Sequence, residues 1–386
     1  MTQDADIIIA GAGLAGLLLA AALRERHPHL SLLLIEPDEP GGNHTWCFHE
    51  GDVSASQFAM LKPMLAASWP GYDVIFPDHH RHLSSAYHCL TAETMRHALL
   101  PSLESCLRRG HVTAVNARSV TLHTGATLSA TQLFDARGWQ ATDMVVAWQI
   151  FTGIEVETTE PHGLTQPIIM DATVPQCGGY RFFYSLPLSP TRLLIEDTRY
   201  VETPHFDMDA MIRECEAYAD SKGWQIATII RSEKGALPLV LDGQLPETQS
   251  NAIPLGMRAG LFHPVTGYSL PDTMRMIEQI VTAPDLLKPS LPRSMTTYRQ
   301  HRWQGHWFYR LLNRLLFLAG APDMRWKILS RFYTLPESLI ARFYAGNNTP
   351  FDMLRILAGK PPVPVMGALR SLPPSAAGQL KGTQPS

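Results

Sequence analysis

Hydrophobic and polar residues alternate differently in three parts of the chain. The first part has short unbroken apolar blocks separated by helical stretches. The block Asp6-Ile7-Ile8-Ile9-Ala10 is β-branched and predicts a buried parallel strand. It runs into Gly11, Gly13 and Gly16, spaced G-x-G-x-x-G. Leu14 to Leu23 favours helix, and Pro28 closes it; Ser31 to Ile35 is the next strand and ends in Glu36, 20 residues past Gly16. The three glycines suit a tight turn, backbone approach to a pyrophosphate, and close helix-to-strand packing. Gly11, Ala12, Gly13, Leu14 and Gly16 are therefore candidate cofactor contacts at a helix N-terminus, an anion site. Glu36 stands where a carboxylate accepts from adenosine ribose hydroxyls. Two other readings are a glycine turn without ligand and a membrane or signal helix. The uncharged run Ile7 to Leu23 has only 17 residues, follows Asp4 and Asp6, and is broken by glycines, which excludes the second.

Further along, Gly41 and Gly42 make a flexible turn before His44 and Trp46, at the sheet edge where such folds bind ligands. His44 is equally a flavin contact or a loop histidine satisfied by backbone. Tyr72, Val74 and Phe76 have strand spacing, and Thr91 to Leu100 reads as a helix capped by Thr91 and stopped by Pro101. Short strands at His111 to Val115 and Val120 to His123 lead to Leu133-Phe134-Asp135 and Gly138. Asp135 and Gly138 are candidate cofactor contacts; a plain strand-ending turn is the alternative.

From Ala147 the pattern becomes that of long strands. Tyr180 to Ser185 and Arg192 to Arg199 flank the turn Leu188 to Thr191. Side chains alternate across a strand, so Tyr180, Phe182 and Tyr184 share a face, as do Leu194 and Glu196, while Ile195 and Asp197 take the other. Acids in so apolar a strand are candidate catalytic groups; a salt bridge to Arg181 or Arg199 is the alternative. Phe206 to Ser221 predicts an amphipathic helix and Gly223 to Ile230 a strand. The chain then returns to the cofactor: Ile253 onward predicts a strand, a turn through Gly260, Pro264 and Gly267, and a helix from Pro271 to Val281, a second anion site.

The last third is helical, and Arg293, Arg299, Arg302, Arg310, Arg314, Arg325, Lys327, Arg331 and Arg342 interleave with aromatics. This suggests a surface resting on anionic lipid, against the alternative of ordinary helices with snorkelling arginines. No 18-residue apolar run occurs there, so peripheral attachment is expected rather than a span.

Composition narrows the picture. A chain of 386 residues, 45% hydrophobic and 17% charged, is globular with a sizeable core. The net charge of -3 argues against nucleic acid as a partner. Five scattered cysteines form no C-x-x-C pair and show no zinc-type spacing with histidine, so no metal site is expected and the thiols suit a reducing cytoplasm.

The segments GAGLAG, LLLIE, GGNHTW, PHGLTQPIIMDATVPQCGGYRFFYSLPLSPTRLLIEDTRY and MRAGLFHPVTGYSLP together resemble the bacterial lycopene β-cyclases. The resemblance covers about residues 5 to 350. It implies an α/β fold: a Rossmann-type FAD-binding domain, an antiparallel β-sheet substrate domain and a helical C-terminal region. The expected division is 1–146 with 235–290 for FAD, 147–234 for substrate, 291–360 helical and membrane-proximal, and 361–386 a flexible tail. It further implies lycopene as substrate, FAD active in the reduced form, NADPH as reductant, no net redox change, and a peripheral place on the cytoplasmic face of the membrane. Glu196 becomes the acid the family needs, with Asp197 second. General flavoproteins carry Gly-Asp before the last turn; Arg258-Ala259-Gly260 departs from that, so ribityl contacts do not transfer. A redox flavoenzyme on the same fold and a non-catalytic flavin or carotenoid carrier are the rival readings.

Overall fold

A computed structural model describes residues 3–140, 143–205, 207–246, 252–358 and 364–383. Strand β1 (Ala5–Ala10) lies between β2 (Leu32–Glu36) and β3 (Thr127–Asp135), parallel to both. Ile7, Ile8 and Ile9 are fully buried, because the sheet is covered on both faces. Helix α1 (Leu14–Arg26) follows the glycine turn. Its Leu17 and Leu18 share a core with Met274, Ile277 and Ile280 of a helix much later in the chain, α3 below. Leu107–Arg109 extends the sheet beyond β2, Ser119–Leu122 and Val112–Val115 extend it beyond β3, and the short strand Ile253–Pro254 also pairs with β3.

The second sheet is built on β4 (Val145–Thr158). Around it stand β5 (Tyr180–Pro187), β6 (Arg192–Val201) and β7 (Ile226–Asp242), in the order β7-β4-β6-β5. Ile168–Asp171, Tyr72–Phe76 and His79–Leu83 complete this sheet. One face packs Tyr180, Phe182, Tyr184 and Leu194 into a core with Tyr309, Phe317 and Tyr344 from the C-terminal helices. The other face packs Phe183 and Ile195 against α2 (Met208–Ser221), where the Phe183 and Tyr218 rings stack at 4.1 Å. A third, three-stranded sheet (Thr45–His49, Tyr87–Thr91, Leu65–Trp69) adjoins them.

The chain returns to the first sheet through α3 (Leu270–Val281), then enters the C-terminal helices, among them α4 (Trp307–Leu318) and α5 (Pro350–Leu357).

Several expectations need correcting. The helix after Thr91 runs to Leu103, through Pro101, because fully buried Leu103 anchors its last turn. The strand from Ile226 does not stop near Ile230. It continues through Gly235, where the Phe151 ring fills the place of a side chain at 2.5 Å, so the boundary expected at 234/235 falls inside β7. Tyr72–Phe76, assigned by position to the cofactor domain, pairs instead with Ile168–Asp171 of the second sheet. Residues 364–383 are not a loose tail: Arg314 donates to the Ser371 and Leu372 carbonyls, and Ala377 is fully buried. Phe206, the expected start of α2, and residues 359–363 and 384–386 lie outside the described residues.

The basic stretch is also less superficial than its composition suggests. Arg299, Arg310, Arg314 and Arg325 are buried and donate to backbone carbonyls of Ala259, Trp303, Leu241 and Phe317. Arg299, Arg314 and, through Glu202, Arg325 tie the C-terminal helices to the body of the protein, while Arg310 bonds within the helical region. An Arg side chain suits this, with five donors in a rigid fork.

Asp197 is fully buried on the α2 side of β6. Arg181 of β5 grips it with two bonds of 2.9 Å, and Arg199 adds a third contact. Glu214 of α2 also pairs with Arg181. Removing one partner of a buried pair leaves an uncompensated charge, so Asp197→Asn should lower stability by about 3 kcal/mol. A urea unfolding midpoint unchanged from the parent would refute that role.

Candidate active site

A cavity of about 680 Å³ opens where the carboxyl ends of β1, β2 and β3 face the second sheet. Its size suits a large cofactor or ligand. Gly11, Ala12, Gly13 and Leu14 form one wall, with Glu36, Gly138 and the Gly41-Gly42 turn beside them. Gly11 takes φ +100°, and a side chain there would meet the Ala136 carbonyl oxygen at 2.6 Å. A Cβ on Gly16 would lie 1.9 Å from the Gly11 oxygen. Gly13 has nothing within 4 Å of the place its Cβ would occupy. The protein therefore requires the first and third glycines for its own packing and leaves the space over the second free.

Glu36 accepts a hydrogen bond from the Ala12 N–H at 2.6 Å, which pins the glycine turn to the end of β2. No side chain caps the N-terminus of α1, so its backbone N–H groups face the cavity. His44 lines the cavity too. On the far side stand Gly256, Met257 and the run Gly267 to Leu270 at the start of α3.

Four predicted cofactor contacts stand elsewhere: Gly16, packed against the Gly11 oxygen, and Asp135, Gly260 and Pro264. Asp135 is clamped by Arg137 through two bonds of 2.8 Å and by Arg258 at 3.1 Å, so its carboxylate braces the loop behind the cavity. Those arginines hold its pKa low against the effect of burial. Gly260 takes a left-handed conformation, φ +68°, and packs on Leu245 and Met144. The Pro264 carbonyl accepts from Asn313 at 2.7 Å, so this residue anchors α4. Arg258, where general flavoproteins carry an acid, thus serves Asp135.

Glu196 reaches the opposite end of the cavity. Asp197 projects to the α2 side and does not join it, as its ion pairs require. Beyond Glu196 lies a small inner chamber, about 30 Å³, walled by Tyr87, Phe182, Tyr184, Tyr200, Tyr268 and Tyr344, with His49 and Thr198. Glu196, Gln149, Tyr184 and Tyr268 belong to both spaces, so Glu196 stands at their junction. The Tyr87 and Tyr184 hydroxyls bond each other at 2.9 Å. Burial raises the Glu196 pKa well above the usual carboxylate range, and the Glu233 carboxylate raises it further by charge and by a hydrogen bond. Arg231 opposes this. The side chain is partly accessible, but only to the cavity, where desolvation still governs its protonation.

Sequence reasoning missed Glu233, the aromatic partners from distant segments and His49. The alternation of Arg231 and Glu233 on one face could have exposed them, had the strand not been ended at Ile230. A wider groove, about 780 Å³, runs between the helices near Arg24 and Glu278 but carries neither glycine turn nor Glu196.

The fold and the glycine turn define an α/β protein of the dinucleotide-binding type. Its backbone is similar to a geranylgeranyl bacteriochlorophyll reductase-like protein of Thermoplasma acidophilum (TM-score 0.62, 11% identity, 98% of each chain). It is also similar to a tryptophan 6-halogenase of Streptomyces toxytricini (TM-score 0.61, 15% identity, 97% of this chain and 94% of that one). More specifically, residues 6–370 match the family model described as lycopene cyclase protein. The chain is 47% identical over 372 residues to a lycopene beta-cyclase of Pseudescherichia vulneris, covering 95% of this chain and 96% of that one. It is 45% identical over 377 residues to a lycopene beta-cyclase of Pantoea ananas, covering 96% and 99%. The chain belongs to the lycopene cyclase family.

The glycine turn makes a direct prediction. Gly13→Val should fold, since its side chain meets no protein atom at Cβ, yet lose flavin binding because the side chain occupies the phosphate approach. Flavin titration of the purified variant by fluorescence checks this; affinity equal to the parent would sink the assignment.

Proposed function

We propose that the chain closes β-rings at the ends of lycopene, giving γ-carotene and then β-carotene, by acid–base chemistry without net redox change. FAD occupies the large cavity in its reduced form, with NADPH as the reductant. The observation that carries the reading is the place of Glu196, its pKa raised by desolvation, between the glycine-walled cavity and an aromatic chamber.

The acyclic end enters so that its terminal double bond faces Glu196. The π pair of that bond takes the Glu196 proton and leaves a tertiary cation. The next double bond donates its π pair to that carbon, closing the ring and moving the positive charge onto the ring. Loss of a ring proton to the Glu196 carboxylate restores the acid and forms the ring double bond. One proton enters and one leaves, so atoms and electrons balance. The faces of Phe182, Tyr184 and Tyr268 can stabilise the cation by roughly 0.5–2 kcal/mol each. The closely set aromatic rings leave little room for water that would otherwise trap the cation. Bound reduced flavin supplies a negative charge near the cation. Gly11 to Leu14 and Glu36 would hold its adenosine and pyrophosphate half, and Gly256, Met257 and Gly267 to Leu270 face the remainder.

The substrate is a long polyene dissolved in lipid, so the protein works as a peripheral protein on the cytoplasmic face of the membrane. Support comes from α5, where Phe351 is 74% and Leu354 67% exposed, and from Met366 and Leu369 nearby in sequence, also exposed. Among the described residues no helix is long and apolar enough to cross a membrane. With four of its arginines buried, the basic stretch contributes less than the apolar side chains.

Two experiments follow. Glu196→Gln keeps size but cannot exchange a proton, so anaerobic turnover of lycopene in liposomes with reduced FAD should fall by about 10²–10⁴-fold. Product formed without matching NADPH oxidation supports the reading; one nicotinamide consumed per product favours a reductase or hydroxylase, and no product favours a carrier. Sedimentation with liposomes should weaken on the order of 100-fold in Phe351→Asp/Leu354→Asp, from two lost apolar contacts. Binding equal to the parent would show that this face does not meet lipid.

A further inference from the structure

Glu196 and Glu233 belong to strands that are not neighbours. Strand β4 runs between β6 and β7, and two ladder spacings are about 9.5 Å. Gly153 of β4 pairs with Glu196 on one side and with Glu233 on the other. Gly153 has no side chain, and Glu196 Cγ lies 2.7 Å from where its Cβ would stand. The Glu196 carboxyl therefore lies over Gly153 of the middle strand, in the gap between its own strand and Glu233.

Glu233 is itself 3% exposed. Its Oε2 accepts from Arg231 Nη1 at 2.8 Å and from Thr45 Oγ1 at 3.1 Å. Its Oε1 is buried and, among the described residues, receives no N–H or hydroxyl donor. A proton on Glu196 supplies the missing donor. Charge leads to the same place. Arg231 also donates to Glu155 at 2.6 Å, and Arg192 pairs with Glu155. Glu196, Glu233 and Glu155 thus depend on Arg231 and Arg192, and Arg192 is shared further with Glu93, so carboxylates outnumber guanidinium groups and a proton on the Glu196–Glu233 pair relieves the excess.

We propose that Glu233 is a positioning residue for this reaction: across the gap left by Gly153 it shares a single proton with Glu196, keeping the acid charged with its proton and aimed at the cavity between turnovers. This rests on the cyclisation reading above. The other titratable groups that face the pair are Arg231 from β7, Cys47 from the strand Thr45–His49, Tyr184 from β5, Tyr268 from the loop before α3, Cys89 near Glu233, and Cys215 from α2 beneath the sheet. Arg231 is the cation among them.

The proton-transfer step is unchanged: Glu196 loses its proton to the substrate double bond and regains one from the ring. During the interval both carboxylates are ionised, and their repulsion favours the return of the proton to Glu196.

The test is an infrared titration of the protonated carboxylic C=O band in flavin-free, substrate-free protein, paired with kcat and KM against pH. The parent should keep a band well above the usual carboxylate range, and Glu196→Gln should lose it. Glu233→Gln removes the like charge and leaves Arg231 more strongly positive toward Glu196, which lowers its pKa. The band should then disappear at lower pH. Activity requires the protonated acid, so the fall in kcat with rising pH should move down by the same interval, roughly tenfold of activity per unit at a fixed alkaline pH, with KM little changed. Gly153→Ala keeps every charge but displaces Glu196 from Glu233, and should shift both readouts in the same direction. A pH-independent loss of kcat, or an unmoved band in both variants, would overturn the proposal. Because the band needs neither flavin nor lycopene, a parent that shows the pair but makes no ring would refute cyclisation while leaving the pair standing.

Discussion

The site depends on the register of β6, and the buried grip of Arg181 and Arg199 on Asp197 sets that register. Successive strand residues point to opposite faces, so a slip of one residue would exchange Glu196 and Asp197. The ion pair forbids the slip. An Asp197 carboxylate turned toward the aromatic chamber would leave Arg181 buried and uncompensated beneath the sheet. With Asp197 held on the α2 side, Glu196 must face the cavity. One carboxylate is paired with two arginines and desolvation raises the pKa of its neighbour, although they are adjacent in the chain. Environment assigns the two acids different roles.

Around that strand the two sheets divide the work. The parallel sheet presents a glycine turn and uncapped backbone N–H groups, which suit a phosphate-bearing ligand. The antiparallel sheet presents an aromatic face and an acid, which suit a carbocation. The cavity lies between them, so cofactor and substrate chemistry meet within one space. The segment from Gly256 to Leu270 closes the cavity from the far side. The C-terminal helices hold that segment in place through Arg299 to the Ala259 carbonyl and Asn313 to the Pro264 carbonyl. Buried arginines that look like a basic surface in composition therefore support the floor of the site.

Much of this was legible in the chain itself. The unbroken Ile7-Ile8-Ile9 block, the glycine spacing and the terminal Glu36 determine a parallel β-α-β unit, because each is a local steric or packing requirement. The alternation in LLIEDTRY determines that Glu196 and Asp197 face opposite ways, because strand periodicity is a property of the backbone. The resemblance carried by the longer segments brought lycopene and FAD into view. Only the tertiary structure decided the rest, where residues far apart in sequence meet. Gly260 and Pro264 looked like cofactor contacts, yet their partners, Met144 and Asn313, lie outside any local window, as does Arg258, the second arginine on Asp135. Pro101 did not end its helix and Gly235 did not end its strand, since buried Leu103 and the Phe151 ring override local preference. Gly153 had no signal of its own. A glycine in a strand gains meaning only when the flanking strands are known, and the meeting of two carboxylates across it is a fact of sheet order, which no local pattern encodes.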